Sequence, residues 1–368
     1  MNEFSLPPLR LLLLGFGNVA QALLRLLASR DAWLKQELGL QLMISGIGTR
    51  REGFFLHPMG IDLATLAQEP FPLQTFKRQA HAVSDALALI EAGKAVGASM
   101  LIELTTLNPQ DGQPALSHIR AALSSGMDVI TANKGPVAHQ QAALQELASH
   151  HQTHFRFEST VLDGLPLINL AQFSLQAVNI YAFRALLNST TTLVLSLIEQ
   201  GATFDEAVQQ AQQLGIAEAN PSYDLEGWDA VMKTTILANN LLAGKLTPEM
   251  VQRTGIGGLA LDEIRAAAAA GRPIRLVSQA SRLSGHIRAQ VGPQALDADD
   301  ILLVGKGSTS VISLETEAMG TITLVEHEPK NDPAAPDPTQ DLEAAVRQTA
   351  YGVLNDLILI MQQKRRGL

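Results

Sequence analysis

The stretch Leu9–Ser29, LRLLLLGFGNVAQALLRLLAS, constrains the fold more than any other part of the chain. An apolar run of strand length, Leu11–Leu14, enters Gly15-Phe16-Gly17-Asn18-Val19-Ala20. Val19, Leu23, Leu26 and Leu27 then recur with helical period. Strand, glycine turn and helix in that order form the context that a dinucleotide fingerprint requires. Gly15 permits the tight turn, and Gly17 lets the main chain approach a pyrophosphate. Asn18 and Val19 open the helix whose unpaired N–H groups would receive it. Ala20 stands where a third glycine is common and is small enough for helix and strand to pack closely. The alternative is a glycine turn that is structural only.

Apolar runs at 9–14, 40–47, 99–105 and 128–131, with a helical pattern over 114–125, predict a doubly wound βα domain around this fingerprint. The second run ends in Gly46-Ile47-Gly48-Thr49-Arg50-Arg51. An acidic residue there would bind the ribose hydroxyls of NAD, whereas arginine suits a 2′-phosphate. Arg50 and Arg51 therefore favour NADP over NAD, unless they are simply a solvated pair in a loop.

A chain of 368 residues has room for roughly two domains of about 150 residues each. Its formal charge of −9 argues against nucleic acid or an anionic membrane as partner. The absence of cysteine excludes disulfides, thiolate nucleophiles and Cys-ligated zinc. The first ten residues have no basic n-region, and the first apolar run feeds into the glycine turn, so no signal peptide is expected. No stretch reaches the roughly 18–20 apolar residues of a membrane span. A soluble cytoplasmic protein is the expectation.

From about residue 153 the texture changes. HFRFESTV has strand character, and Ile301–Val304, Val311–Leu314 and Thr321–Val325 suggest late antiparallel strands. Residues 327–340 read as a proline-rich loop, and Leu342–Gln363 as an amphipathic helix ending in cations. His150, His151 and His154 have no acidic residue nearby to complete a metal site.

The densest polar segment is Leu214–Lys233, LGIAEANPSYDLEGWDAVMK. It gathers Glu218, Asp224, Asp229 and Lys233 around an Asn-Pro turn and a helix start. Asp229 and Lys233 are spaced to share one helix face. Such an acid–amine pair can polarise a substrate or exchange a proton, although the same spacing also describes an ordinary surface pair.

Taken with Thr131-Ala132-Asn133-Lys134-Gly135-Pro136, Glu158–Pro166 and Asn188-Ser189-Thr190-Thr191, this segment makes the chain resemble homoserine dehydrogenase over most of its length. The resemblance implies a Rossmann-type doubly wound nucleotide domain with a second α/β, mixed-sheet domain for catalysis and dimerisation. The corresponding division is 1–150 and 151–340, with 341–368 returning to the first domain. It implies interconversion of L-homoserine and L-aspartate 4-semialdehyde with NAD(P)H, in threonine and methionine biosynthesis, by a homodimer. Lys233 would protonate the carbonyl oxygen, Glu218 and Asp229 would hold the amino and hydroxyl ends, and Asp224 would support them. Lys134 would lie near nicotinamide and substrate, and Thr105 would touch the cofactor. A sodium ion would rest on main-chain carbonyls at Glu158, Val161, Asp163 and Leu165. Neither an ACT-type domain after the last helix nor an aspartokinase module is expected.

The chain departs from the family pattern at four places. Asn220 stands where Asp usually precedes the proline, and Ser189 and Thr192 replace a Gly and an Asn. Leu162 and Asp163 replace small residues, and Glu326-His327-Glu328-Pro329 occupies the place of a glycine-rich loop. These changes admit two further readings: a related dehydrogenase for a different small aldehyde or amino acid, or a silent nucleotide-binding homologue.

Overall fold

Strand β1 (Leu9–Leu14) carries leucine toward both faces and is buried everywhere except Arg10. A strand of that kind must lie inside a sheet covered on both sides. It pairs in parallel with β2 (Leu42–Thr49) and β5 (Met100–Glu103). Outward from β5, the strands β6 (Asp128–Thr131) and β7 (Phe155–Arg156) continue the parallel order. On the other side β3 (Gly53–Asp62) and β4 (His81–Val83) run antiparallel, giving the order β4-β3-β2-β1-β5-β6-β7. This antiparallel pair departs from the all-parallel expectation. Thr49 pairs with Gly53, so Arg50–Glu52 form a hairpin turn. The computed structural model describes residues 8–305, 309–327, 337, 339 and 342–367, and most of the proline-rich stretch 327–340 lies outside them.

The described residues group into two compact units, one within Met1–Pro166 and Lys330–Leu368, the other within Leu167–Pro329. In the first unit the helix Asn18–Ser29 and the final helix Ala344–Arg365 pack together. Leu23, Leu26 and Leu27 share one apolar core with Val353, Leu357 and Ile360. The final helix also has a polar seam. Asp356 Oδ2 accepts the Glu158 N–H at 2.9 Å, Ser159 Oγ donates to Thr349 O at 2.9 Å, and Arg156 donates to Gln363 Oε1 at 2.7 Å. At Gly352 the helix comes so near that a Cβ would lie 2.1 Å from Ser159 Oγ and 2.7 Å from Asp163 O. These contacts tie the segment after β7 to the first unit, which accounts for the division falling at Pro166. HFRFESTV is consequently a strand for only two residues before the 3-10 turn Glu158–Thr160.

The second unit is a six-stranded sheet of β8 (Ile180–Leu186), β9 (Gln252–Arg253), β10 (Ile274–Leu283), β11 (His286–Ala295), β12 (Ser310–Thr316) and β13 (Gly320–Glu326). Its order is β13-β12-β8-β10-β11-β9, antiparallel except for β9 beside β11. The helices Ser189–Glu199 and Trp228–Leu241 pack on this sheet. Strand alternation turns Phe183, Ala185, Val277 and Val291 into buried positions. The stretch Ile301–Val304 is a 3-10 turn and not the expected strand. Asp300 Oδ1 caps it by accepting the Leu302 N–H at 3.0 Å, and only Leu302 is buried, against Leu186, Val277 and Val311. A four-residue apolar run entered through an acidic cap has too little length to choose strand by itself.

Asp128, fully buried in β6, anchors the final helix through Lys364 Nζ at 2.5 Å and holds His154 Nδ1 and its N–H at 3.0 Å. Burial opposes its charge, but the His154 and Lys364 hydrogen bonds, reinforced by the Lys364 charge, outweigh burial and hold the carboxyl below the usual range. A depressed folded-state pKa stabilises above the unfolded value of about 3.9, and that stability is lost as pH falls through the lower folded value. Urea titrations from pH 7 to pH 3 should therefore show a shallower acid loss in Asp128→Asn than in wild type. Parallel acid slopes would remove Asp128 from this role.

Candidate active site

The polar and glycine residues singled out in the sequence lie on both units. On the first unit, Gly15 adopts φ +86°, and a Cβ there would sit 2.3 Å from Leu104 O and 2.8 Å from Thr105 N. Only glycine lets the β1 turn pass the end of β5 at this distance. Gly17 precedes the helix Asn18–Ser29, which no side chain caps, and nothing lies within 4 Å of where its Cβ would be. Asn18 is exposed, Val19 half-buried and Ala20 buried against the sheet. The turn opens on a cleft of about 730 Å³ that reaches Thr49, Arg50, Arg51, Thr105 and His118. A close-packed glycine, an uncapped helix start and a cleft at the carboxyl ends of β1, β2 and β5 fit a dinucleotide.

Behind this cleft, buried Glu103 accepts the Thr105 N–H at 3.1 Å and the hydroxyls of Thr105 and Thr131, the latter at 3.1 Å. Asn133 donates from Nδ2 to Thr105 O at 3.1 Å and caps the helix Lys134–His150 by accepting the Gly135 N–H at 3.2 Å. The loop carrying Thr105 and the helix start carrying half-buried Lys134 are thus tied together. The role of Glu103 has a faint signal in sequence: an acid closing an otherwise apolar strand.

Arg50 and Arg51 are exposed on the β2–β3 turn, and among the described residues they make no ion pair. The neighbouring Glu52 is engaged by Lys77 Nζ at 2.7 Å. A carboxylate is therefore present at the end of β2, occupied by a lysine rather than standing alone.

On the second unit Lys233 Nζ donates to Leu187 O at 2.7 Å and lies 3.4 Å from Asp229 Oδ2. Asp229 is buried in the first turn of its helix, where the peptide dipoles favour a negative charge. Asn188 Nδ2 bridges Asp224 Oδ1 at 2.7 Å and Asp229 Oδ2 at 3.1 Å. Its Oδ1 accepts the Thr191 N–H at 2.9 Å and caps the helix Ser189–Glu199. Its bridging of two carboxylates needed the fold.

Asp224, Asp229 and Lys233 are thus brought together, with only 9% of the Asp229 side chain and 14% of the Lys233 side chain exposed. Glu218 sits on an exposed turn, where Gln212 donates to its main-chain oxygen at 3.1 Å; no hydrogen bond or ion pair joins its carboxylate to the cluster. Asn220 serves its own turn, accepting from Ser222 Oγ at 2.8 Å. Ser189 lies in a helical first turn and not in the left-handed region, so the family's glycine is not required there.

In the segment named for a cation, Asp163 adopts φ +39° and its Oδ1 accepts from Thr349 Oγ1 at 3.2 Å. Glu158 is buried, and Leu165 N–H donates to Leu162 O at 2.7 Å beside Val161. Among the described residues no group of three or more His, Asp or Glu side chains is placed to hold a metal. A cation here would rest on main-chain oxygens. Glu328 and Pro329, in the place of the glycine-rich loop, lie outside the described residues, while Glu326 ends β13 and Thr309 Oγ1 meets His327 Nδ1 at 3.4 Å.

A dinucleotide cleft on one unit and a buried lysine–carboxylate cluster on the other define an NAD(P)-dependent oxidoreductase. Models of known families narrow this further. The model described as homoserine dehydrogenase matches residues 166–358, and the homoserine dehydrogenase NAD binding domain matches residues 15–158. The chain belongs to the homoserine dehydrogenase family. It is 38% identical over 360 residues to the NAD(+)-dependent homoserine dehydrogenase of Pseudomonas canavaninivorans, covering 97% of each chain. It is 28% identical to the homoserine dehydrogenase of Methanocaldococcus jannaschii, covering 97% of this chain and 99% of that one. Among solved structures, a hyperthermophilic archaeal homoserine dehydrogenase mutant in complex with NADPH is 26% identical. It covers 97% of this chain and 98% of that one, with a TM-score of 0.76. No helix among the described residues is long and apolar enough to cross a membrane.

Proposed function

We propose that the protein interconverts L-homoserine and L-aspartate 4-semialdehyde by NAD(P)-dependent hydride transfer, with Lys233 as the proton donor and acceptor. The observation that carries this reading is the ammonium of Lys233, held by Leu187 O and Asp229 beside the Asn188-bridged carboxylates. Gly15, Gly17, Asn18, Val19 and Thr105 are assigned to the dinucleotide, and Lys134 to its nicotinamide end. A bound nicotinamide supplies the hydride to the aldehyde carbon, or removes it from the alcohol in reverse. Negative charge then develops on the substrate oxygen, and a donor fixed beside it lowers the barrier. Lys233 gives that oxygen a proton and recovers it in the opposite direction. Glu218 and Asp229 hold the α-ammonium and hydroxyl ends, with Asp224 in support, since a cation withdrawn from water needs a paired anion. Glu218 is assigned to the ammonium end from its turn. A sodium ion on the carbonyls of Glu158, Val161, Asp163 and Leu165 is part of the same proposal.

NADP is proposed as the preferred cofactor because Arg50 and Arg51 line the cleft and make no ion pair among the described residues, while Glu52 is tied to Lys77. The Pseudomonas canavaninivorans relative is named for NAD(+), which makes this preference a discriminating test. A homodimer is proposed through the sheet face of the second unit that presents Arg184, Gln279, Ser281, Arg288 and Gln290. These lie in register across β8, β10 and β11, around a cavity of about 840 Å³. A cytoplasmic setting belongs with this amino-acid chemistry.

Homoserine oxidation at alkaline pH, followed by reduced-cofactor absorbance, should proceed in wild type. In Lys233→Ala it should fall by roughly a hundredfold or more, with NADP binding retained. Turnover in Lys233→Ala equal to wild type would sink the proton-transfer role. The double variant Arg50→Ala, Arg51→Ala should raise the KM for NADPH far more than that for NADH; equal changes would remove the 2′-phosphate argument. Light scattering should give twice the 39.4 kDa chain mass, with Arg184→Glu shifting the protein toward monomer. A monomeric wild type would exclude the proposed pairing.

A further inference from the structure

Several side-chain atoms among the described residues are buried without a hydrogen-bond partner, and one of them is on the short helix that carries Asp224 of the lysine–carboxylate cluster: the hydroxyl of Tyr223. Tyr223 sits in the short helix Ser222–Leu225, directly before Asp224. That helix packs against the helices that begin at Trp228 and Ser189 and carry the rest of the cluster. The neighbours that could have satisfied the phenol are engaged elsewhere. Asp224 Oδ1 and Asp229 Oδ2 both accept from Asn188, and Asp229 Oδ2 also faces Lys233.

A buried donor left without a partner costs free energy in the unliganded protein, and such costs persist where a ligand is to be met. Burial first, and then the negative charges of Asp229 and Asp224, push the phenol above its ordinary range, so it keeps its proton through the neutral and alkaline range. It can donate a hydrogen bond but does not exchange a proton near neutral pH. The α-ammonium of an amino acid is drawn to the carboxylates, which leaves an oxygen of the substrate as the complement to a phenolic O–H.

Resting on the function proposed above, we propose that Tyr223 is a substrate-contacting residue whose hydroxyl donates a hydrogen bond to an oxygen of the bound amino acid. The group is specific for a small substrate with an oxygen beside its ammonium end. A substrate with a purely apolar side chain and no oxygen there would leave the phenol unsatisfied.

Tyr223→Phe separates this role from a structural one, because it removes one oxygen and keeps the ring. The substrate kcat/KM for homoserine should fall by about tenfold, the worth of one hydrogen bond. The KM for the cofactor should stay unchanged. The melting temperature without substrate should be equal to wild type or higher, since an unsatisfied buried group has been deleted. A lower melting temperature with unchanged kcat/KM would overturn the proposal and assign the hydroxyl to the fold. Unchanged values of both would also overturn it. Wild-type turnover of homoserine in the same experiment tests the parent reading separately. An inactive wild type overturns both, whereas an active wild type with an unaffected Tyr223→Phe overturns only the Tyr223 assignment.

Discussion

The second unit is organised around a junction of two residues, Leu187 and Asn188, at the end of β8. Two carboxylates and an ammonium are largely withdrawn from water there, and a group of that kind is tolerated only with near-complete hydrogen bonding. Leu187 supplies the carbonyl that fixes Lys233, and Asn188 supplies the amide that bridges Asp224 and Asp229. The same asparagine starts the next helix through its other side-chain atom. Strand end, helix start and polar cluster are therefore one constraint. The helix Trp228–Leu241 cannot slide along the sheet without breaking it.

The first unit combines main-chain proximity with a buried carboxylate behind its cleft. The approach of Gly15 to Leu104 and Thr105 sets the turn against the end of β5. Glu103, Thr131 and Asn133 then fix the neighbouring loops by hydrogen bonds, so the walls of the cleft are held from behind. The final helix completes this unit by a second close approach, at Gly352, and by polar contacts to Asp128, Arg156 and Glu158. The segment implied to bind a cation is shaped by that helix, since Asp163 turns its carboxylate to Thr349.

Much of this was legible before any coordinates. β1, β6 and the helix Asn18–Ser29 lie where hydrophobic period and glycine punctuation place them. The hairpin of β2 and β3 was not, because GFFLHPMGID mixes glycine and proline into a strand and dilutes its alternation. Ile301–Val304 misled in the opposite direction: its apolar run is short, and Asp300 captures its N-terminus as a turn. At the site, Asp229 and Lys233 were visible from helical spacing. Asn188 stands out in the sequence only within the motif Asn188-Ser189-Thr190-Thr191, and Tyr223 and Glu103 are not singled out there. Their roles depend on partners far away in the chain, which local pattern does not encode.

The sequence by itself determined the dinucleotide turn, the βα alternation around it and the acid–amine face of one helix. Each of these rests on contacts between residues a few positions apart, where period, glycine and charge spacing speak directly. Tertiary structure alone decided that Asn188 bridges two carboxylates, that Leu187 holds the lysine, that Glu218 stands apart from them and that Tyr223 keeps an unsatisfied hydroxyl. Those outcomes depend on how helices and strands distant in sequence are packed against one another, and on which polar groups are left without water once they are.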